Sequence, residues 1–354
     1  MSTIDHEFDH ERVEVFRDAE TGVTGVIAVH STVLGPAVGG LRLAPYPGVD
    51  AAMVDALQLA SAMTLKNSAA GLDLGGGKGV LVDDGAWADP AVRRARMRAV
   101  GRIVDRLAGD YITAEDVGTS PEDMVTIGER TSWVAGQPKQ HGGSGDPSPV
   151  TARTVFAAIA AAARVRLKAP TLEGIRVGVI GVGHVGRSLV ELLCAAGAHV
   201  LLTDIDAGRA TEVAMLHGAH VRPLEGFLES DLDVLAPCAL GGAIRQEDIP
   251  HLRCAIVAGA ANNPLRDTGR TAPELAHAGI LYVPDFLANC GGIIYVGGQI
   301  LGYEAARVES LIEAAIERTE AVLTTAMASD RVPQDLAVEQ ALARLRRDEP
   351  PPSA

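Results

Sequence analysis

Aromatic side chains, cysteines, long apolar runs and basic clusters are all scarce in this sequence, and each scarcity removes a class of protein. Aromatic residues make up 3% of the 354, so any core must be built mainly from Ala, Val, Leu and Ile. Cys194, Cys238, Cys254 and Cys290 lie far apart with no CxxC pair. That spacing speaks against a zinc knuckle or a thioredoxin-like redox pair, and sparse thiols fit a reducing compartment. No run approaches the roughly eighteen apolar residues of a membrane span, and residues 1–12 are polar and acidic, with no apolar stretch for export. A soluble, cytoplasmic protein without a membrane partner is expected. Acidic residues outnumber basic ones 45 to 31, for a net charge of -14. Such a surface repels a phosphate backbone, and RRARMR at 93–98 reads as the solvated face of a helix. Nucleic acid is therefore not an expected partner, and no metal site is expected.

Apolar residues account for 47% of the chain and glycines number 39; the length suggests two domains. The first third reads as mixed: a strand at 25–30, a glycine-rich turn at 35–40, a helix at 49–65 and a glycine break at 71–79. A strand at 80–82, a helix at 93–107 and a strand at 111–113 follow. The segment HGGSGDPSP at 141–149 stops regular structure and marks a domain boundary. An Ala-rich helix is expected at 151–165. From 174 onward, strands at 175–180, 199–203, 233–235, 255–258 and 280–283 alternate with helical stretches that include 185–196 and 207–217. This alternation implies a parallel, doubly wound sheet. Residues 303–347 read as helical, and the C-terminal helix, about 325–347, is expected to return to the first domain. The fold class is thus α/β with two domains, 1–145 and 146–324.

Gly181-Val182-Gly183-His184-Val185-Gly186 is a GxGxxG that follows an apolar strand and opens an amphipathic helix. Its first glycine permits a tight turn, its second lets backbone N–H groups approach a pyrophosphate, and its third allows close helix–strand packing. The helix N-terminus turns its dipole toward the phosphates. Asp204 ends the next strand, where a carboxylate can accept from the adenosine ribose hydroxyls and repel a 2′-phosphate, favouring NAD over NADP. Asp206 reads as a helix cap. A Rossmann domain that binds another nucleotide, or none, is the alternative at this point.

Lys66 follows the expected helix end, and Lys78 follows three glycines in GGGKG at 75–79. This is no phosphate-binding P-loop, because Gly79 stands where a Ser or Thr would hold magnesium. Each lysine alone is a surface charge more often than a catalyst, but glycines beside Lys78 would let a substrate approach the backbone.

Nine segments in order carry a resemblance to a known family. They are LGPAVGGLR (34–42), AMTLKN (62–67), GLDLGGGKGV (71–80), YITAEDVGTSPEDM (111–124), DPSPVTA (146–152), GVGHVG (181–186), APCALGG (236–242), GAANN (259–263) and YVPDFLANCGG (282–292). With them the chain resembles the glutamate/leucine/phenylalanine/valine dehydrogenases, and most closely the leucine and valine branch. The resemblance implies an N-terminal α/β domain for substrate and oligomerisation, and an NAD-binding Rossmann domain. Lys78 would be the general acid/base, its amine kept neutral by burial beside a second cation, Lys66. Lys66 would bind the substrate carboxylate with backbone N–H groups around Gly39 and Gly40. Asp116 would handle protons at the substrate nitrogen, and Asn262 would contact the amino group near the nicotinamide. Ser148 and Thr151 would touch the nicotinamide end. The 181–186 turn, Asp204, Ile205, Cys238, Ala239, Ala261 and Asn262 would complete the cofactor site. The two domains would close over the substrate, excluding water during hydride transfer.

The same resemblance lines the side-chain pocket with Leu41, Ala114, Ile293 and Val296, all apolar, which leaves a glutamate carboxylate without a partner. Ile293, where leucine enzymes tend to have valine, leans the preference toward valine, then leucine and isoleucine. One methylene discriminates by only about 1–3 kcal/mol, and phenylalanine stays open. Cys290 stands where the family usually has alanine and reads as a small buried filler; Tyr295 either intrudes on the pocket or packs. A non-catalytic NAD-binding regulator and a cyclodeaminase on the same scaffold are the rival readings. The joint presence of Lys66, Lys78, Asp116 and Asn262 argues against the regulator, and net NADH production separates the dehydrogenase from the cyclodeaminase. A homo-oligomer, dimer or octamer, is the implied assembly.

Overall fold

The computed structural model describes residues 9–143, 145–239 and 241–348, with the side chains of 347 and 348 left aside. The first eight residues of the polar N-terminus, and Ser144 of the expected linker, lie outside the described residues. Among the described residues, no helix is long and apolar enough to cross a membrane. The chain forms two compact units. One gathers the described residues through Gly145 with Val296–Tyr303 and the described residues from Leu342 on; the other holds the described residues of Asp146–Tyr295 and Glu304–Ala341.

The first unit is built on five strands: β1 (Arg12–Arg17), β2 (Thr24–Ser31), β3 (Ala37–Ala44), β4 (Gly75–Val82) and β5 (Tyr111–Glu115). Their order is β1-β2-β4-β3-β5. β1 and β2 pair antiparallel, as do β2 and β4, whereas β3 runs parallel to both β4 and β5. Helix α1 (Val49–Ala70) covers one face, where Ala52, Ala56, Leu57 and Ala60 pack on Val26, Ala28 and Val80. On the opposite face lies a core in which Met97, Val100 and Val104 of α2 (Pro90–Asp105) meet Ile27, Leu41, Leu81 and Tyr111. Helix α2 starts where the Asp89 side chain accepts from the amides of Ala91 and Val92, with Pro90 in its first turn. The short α3 (Pro121–Gly128), begun by a Ser120–Asp123 capping box, was not expected from the sequence.

Two stretches expected to be glycine turns are strands instead. Residues 37–40 belong to β3 and residues 75–79 to β4. Gly35 (φ +136°) and Gly71 (φ +77°) do need a glycine backbone. Gly76, Gly77 and Gly79 are there for a different reason, namely space. A Cβ on Gly76 would lie 2.1 Å from the Thr64 backbone nitrogen of α1, one on Gly77 2.7 Å from the Tyr111 ring, and one on Gly79 2.7 Å from Leu41. The glycines of β4 thus admit the protein's own helix and side chains, where the sequence suggested room for a ligand.

The second unit carries six parallel strands: β6 (Arg176–Ile180), β7 (His199–Thr203), β8 (His220–Val221), β9 (Val234–Pro237), β10 (Ile256–Val257) and β11 (Leu281–Tyr282). The order is β11-β10-β9-β6-β7-β8, so the order of strand addition reverses between β6 and β9 while all strands stay parallel. Helices α4 (Ser148–Ala162) and α5 (His184–Ala195) contribute Val155, Ile159, Leu189 and Leu193 to the core on one face. Helix α6 (Ala207–His217) adds Val213 to the same core. The other face is filled by Leu275 of α7 (Thr268–His277) with Phe227, Leu235 and Tyr282. Apolar cores on both faces are what a doubly wound sheet requires.

Two further helices, α8 (Asp285–Ala288) and α9 (Gly291–Ile300), were not legible as helices. In α9 four of ten residues are glycine, so propensity argues against it; close packing favours it, a Cβ on Gly291 lying 2.5 Å from the Val150 carbonyl. Helix α10 (Ala305–Ser329) is held to α4 by Arg153–Glu309 and continues to an Arg164–Glu320 pair. In α11 (Pro333–Asp348), Arg344 donates to the Leu72 carbonyl and Asp73 of the first unit to which it belongs.

Gly76→Ala is expected to destabilise the protein by about 2–3 kcal/mol through forced separation of α1 from β4. Urea unfolding of the ligand-free protein checks this, and an unchanged midpoint would refute the packing role.

Candidate active site

Strand alternation decides what β3, β4 and β5 present to each face. Tyr111, Gly77 and Gly79 face the α2 core, where the Tyr111 hydroxyl donates to the Gly39 carbonyl at 2.8 Å. Lys78 stands between them in sequence and so lies on the other, α1-covered face. Val80, two residues on, joins that core. Lys78 is 6% exposed, and its ammonium donates to Asp116 Oδ2. Burial drives this amine below its usual range. The neighbouring Asp116 pulls the other way, and the Arg42 guanidinium pushes it further down. Burial alone would raise the Asp116 carboxyl, yet Lys78 and Arg42 together hold it below the usual carboxylate range.

Arg42 was missed in the sequence. Its Nη1 donates to Asp55 Oδ2 at 3.0 Å, its Nε lies 3.4 Å from Asp116 Oδ2, and the Tyr46 hydroxyl donates to the same Asp55 oxygen at 2.5 Å. The available signal was period two: Val38, Gly40 and Arg42 alternate with Gly39, Leu41 and Leu43 on β3. Gly40 faces the site, since a Cβ there would lie 2.7 Å from the Asp116 Cβ. It stands opposite Ala114 in the β3–β5 ladder, and Gly39 opposite Thr113. The β3–β4 pairing holds at Val38↔Gly76 and Leu41↔Gly79 and skips the two residues between.

Leu41 needs correction. It was assigned to the substrate pocket, but it is 0% exposed and packed among the α2-side core residues. Its odd position on β3 turns it to the face opposite Lys78. Lys66 also sits differently from the expectation, inside α1 rather than beyond it, because the helix runs on to Ala70 before Gly71 caps it. Val296 belongs to this first unit, on the part of α9 where a Cβ at Gly297 would meet Leu72 and Leu74.

In the second unit the GxGxxG turn leaves β6 at the point where the strand order reverses. Gly181 takes φ +93° against Ala239, and a Cβ on Gly186 would lie 2.0 Å from the Gly181 carbonyl. Gly183 caps α5, and a Cβ there would meet nothing within 4 Å. The glycine at the helix N-terminus therefore faces open space, which is the fit an approaching pyrophosphate demands. Val182 is buried and His184 exposed, its Nδ1 3.8 Å from Asp146 Oδ2; Val185 packs on the core.

Asp204 is less free than its position at the end of β7 suggests. Its side chain is only 5% exposed, accepts from the Val182 amide at 2.8 Å, and is paired with Arg209 at 2.8 Å. The carboxylate thus buttresses the glycine turn, and Arg209 places a positive charge where pure repulsion of a 2′-phosphate was expected. Ile205 beside it is 90% exposed.

Cys238 follows β9, with its thiol pushed up to about 12 by burial, and Ala261 follows β10 with its amide bonded to Pro237 O at 2.9 Å. Asn262 accepts from Asn289 Nδ2 at 2.9 Å, and Asn289 also donates to the Ala260 carbonyl. Asn289, 3% exposed, is a second residue that the sequence reading passed over. Ser148 and Thr151 occupy the first turn of α4, with the Ser148 amide on Asp146 Oδ1 and the Thr151 hydroxyl on the Pro147 carbonyl. Ile293 lies in α9 and is half-buried; Cys290 is buried, as a filler would be.

The model of the Glu/Leu/Phe/Val dehydrogenase dimerisation domain matches residues 10–133, and that of the Glutamate/Leucine/Phenylalanine/Valine dehydrogenases matches residues 202–302. A leucine dehydrogenase of Bacillus subtilis (strain 168) is 40% identical over 344 residues, covering 96% of this chain and 93% of that protein. A valine dehydrogenase of Streptomyces coelicolor is 39% identical over 344 residues, covering 95% and 93%. Among solved structures, L-tryptophan dehydrogenase from Nostoc punctiforme superposes with a TM-score of 0.83 at 34% identity, covering 97% of each chain.

Gly186→Ala is expected to lower the melting temperature of the ligand-free protein, at a cost of about 2–3 kcal/mol. Gly183→Ala should leave it near wild type. Paired thermal melts test the distinction, which equal losses in both variants would contradict.

Proposed function

The chain belongs to the Glu/Leu/Phe/Val dehydrogenase family and is an amino-acid dehydrogenase, and we propose that it oxidatively deaminates a branched-chain L-amino acid with NAD, valine favoured. The products are the 2-oxo acid, ammonia and NADH. The observation that carries this reading is the Lys78–Asp116 pair, a buried amine kept below its usual range and hydrogen-bonded to an ionised carboxylate. A lowered amine is neutral, and so able to accept a proton, in a larger share of molecules than an exposed lysine at the same pH.

Bound NAD supplies the acceptor for the hydride that leaves the substrate's alpha carbon. The 181–186 turn and the N-terminus of α5 would hold its pyrophosphate, Asp204 its ribose, and Ser148, Thr151 and Asn262 its nicotinamide end. Lys66, with backbone N–H groups around Gly39 and Gly40, binds the substrate carboxylate. Once the alpha carbon is oxidised to the imine level, Lys78 Nζ removes a proton from water as its oxygen attacks that carbon. Asp116 then carries protons to the nitrogen until ammonia leaves. The residues assigned to the side chain, Ala114, Ile293 and Val296, are all apolar, and that disfavours an acidic substrate. Valine is preferred on the larger Ile293. The first unit, matched as a dimerisation domain, supports assembly of like subunits.

NADH formation is to be followed with purified protein and a panel of L-amino acids, with NADP in parallel. The expected order is valine ahead of leucine and isoleucine, with little turnover on glutamate. Turnover confined to phenylalanine or tryptophan would overturn the substrate reading and keep the chemistry. Lys78→Ala should lose at least about a hundredfold in kcat; near-wild-type kcat would remove Lys78 from its role.

A further inference from the structure

Two carboxylates compete for one guanidinium beside the reacting pair. Arg42 reaches from β3 between Asp55 of α1, at 3.0 Å, and Asp116, at 3.4 Å. The Tyr46 hydroxyl closes the far side by donating to Asp55 at 2.5 Å. The Arg42 Nε is sealed from solvent and makes no hydrogen bond of its own, so its hold on Asp116 is charge at short range in a poorly screened site. Asp55 is ion-paired to Arg42 and not to Lys78.

We propose that Arg42 is a positioning residue of the reaction, held by Asp55 and Tyr46, and that Arg42 and Asp55 act on the Lys78–Asp116 pair as opposed charges. This rests on the acid/base role proposed for Lys78. Without the clamp, a long Arg side chain of this kind would retain its rotamer freedom and Asp116 would lose a fixed counter-charge. The charged and titratable groups around Lys78 come from every neighbouring element. Asp116 follows β5, Arg42 stands on β3, and Asp55 on α1, which also carries Lys66. Tyr111 approaches from β5 on the opposite face. His30 on β2 is bonded to Thr64 of α1 and lowered by burial and by His10.

The two members of the clamp act on Lys78 with opposite sign, Arg42 opposing its protonation and Asp55 favouring it. A general base works only when unprotonated, so kcat/KM falls on the acid side as Lys78 takes up its proton. Removing the cation in Arg42→Met therefore moves that acid limb to higher pH, with kcat/KM below the limb down on the order of tenfold. Removing the anion in Asp55→Asn moves the limb to lower pH. Arg42→Lys, which keeps the charge, returns the limb toward the wild-type position.

The experiment is the pH profile of kcat/KM for wild type and these three variants, each checked for folding by circular dichroism and thermal melting. If Arg42→Met does not fold, Arg42→Gln, which also removes the cation, takes its place in the opposite-sign comparison with Asp55→Asn. Opposed shifts support the proposal, because a merely structural contribution would weaken activity in both without moving the limb in two directions. Limbs that stay in place, or move the same way, overturn it while the acid/base role of Lys78 stands. Full turnover in Lys78→Ala removes both.

Discussion

An ammonium group taken out of water between a sheet and a helix is the constraint on which the first unit depends. Lys78 can be buried because Asp116 meets its charge and because several backbone positions around it are cut down to glycine. Gly76 lets α1 close on β4, Gly77 and Gly79 make room for Tyr111 and Leu41, and Gly40 leaves space for Asp116. A charge buried without such a partner would shift to its neutral form or cost several kcal/mol. Here burial and pairing act against one another, and burial outweighs pairing, so the Lys78 amine lies below its usual range.

The second unit solves a different problem with backbone rather than side chains. An anion is attracted to a helix N-terminus only if nothing else fills the space in front of it. Gly183 leaves that space open, while Gly181 and Gly186 draw β6, α5 and the Ala239 loop together around it. Asp204 ties the turn from below through the Val182 amide. The same carboxylate therefore supports the turn and, in the proposed function, meets the ribose; Arg209 tempers its charge.

Much of this was legible in residue order. The change from mixed elements to alternating strands and helices announced a parallel sheet, and the glycine signature between an apolar strand and a helix located its turn. The pair Lys78 and Asp116 was reached through resemblance, and no pattern in residue spacing would have joined positions 38 apart. Leu41 was misplaced because a pocket residue and a core residue look alike when both are apolar; only the face of the strand tells them apart. Arg42 and Asn289 were overlooked because each acts by touching another functional side chain, a relation that requires three dimensions.

By itself the sequence determined the alternating strands and helices of the second unit, the apolar periodicity of many elements, the glycine-rich turn before α5 and the chemical types available for catalysis. These are local properties, set by residue volume, propensity and alternation along one strand or helix. Tertiary structure alone decided which glycines admit the protein's own atoms and which face open space, and which side of β3 meets Lys78. It also decided that Arg42 is held between Asp55 and Asp116. Those outcomes follow from the packing of strands and helices distant in sequence, where a shift of one residue turns a side chain from the core to the site.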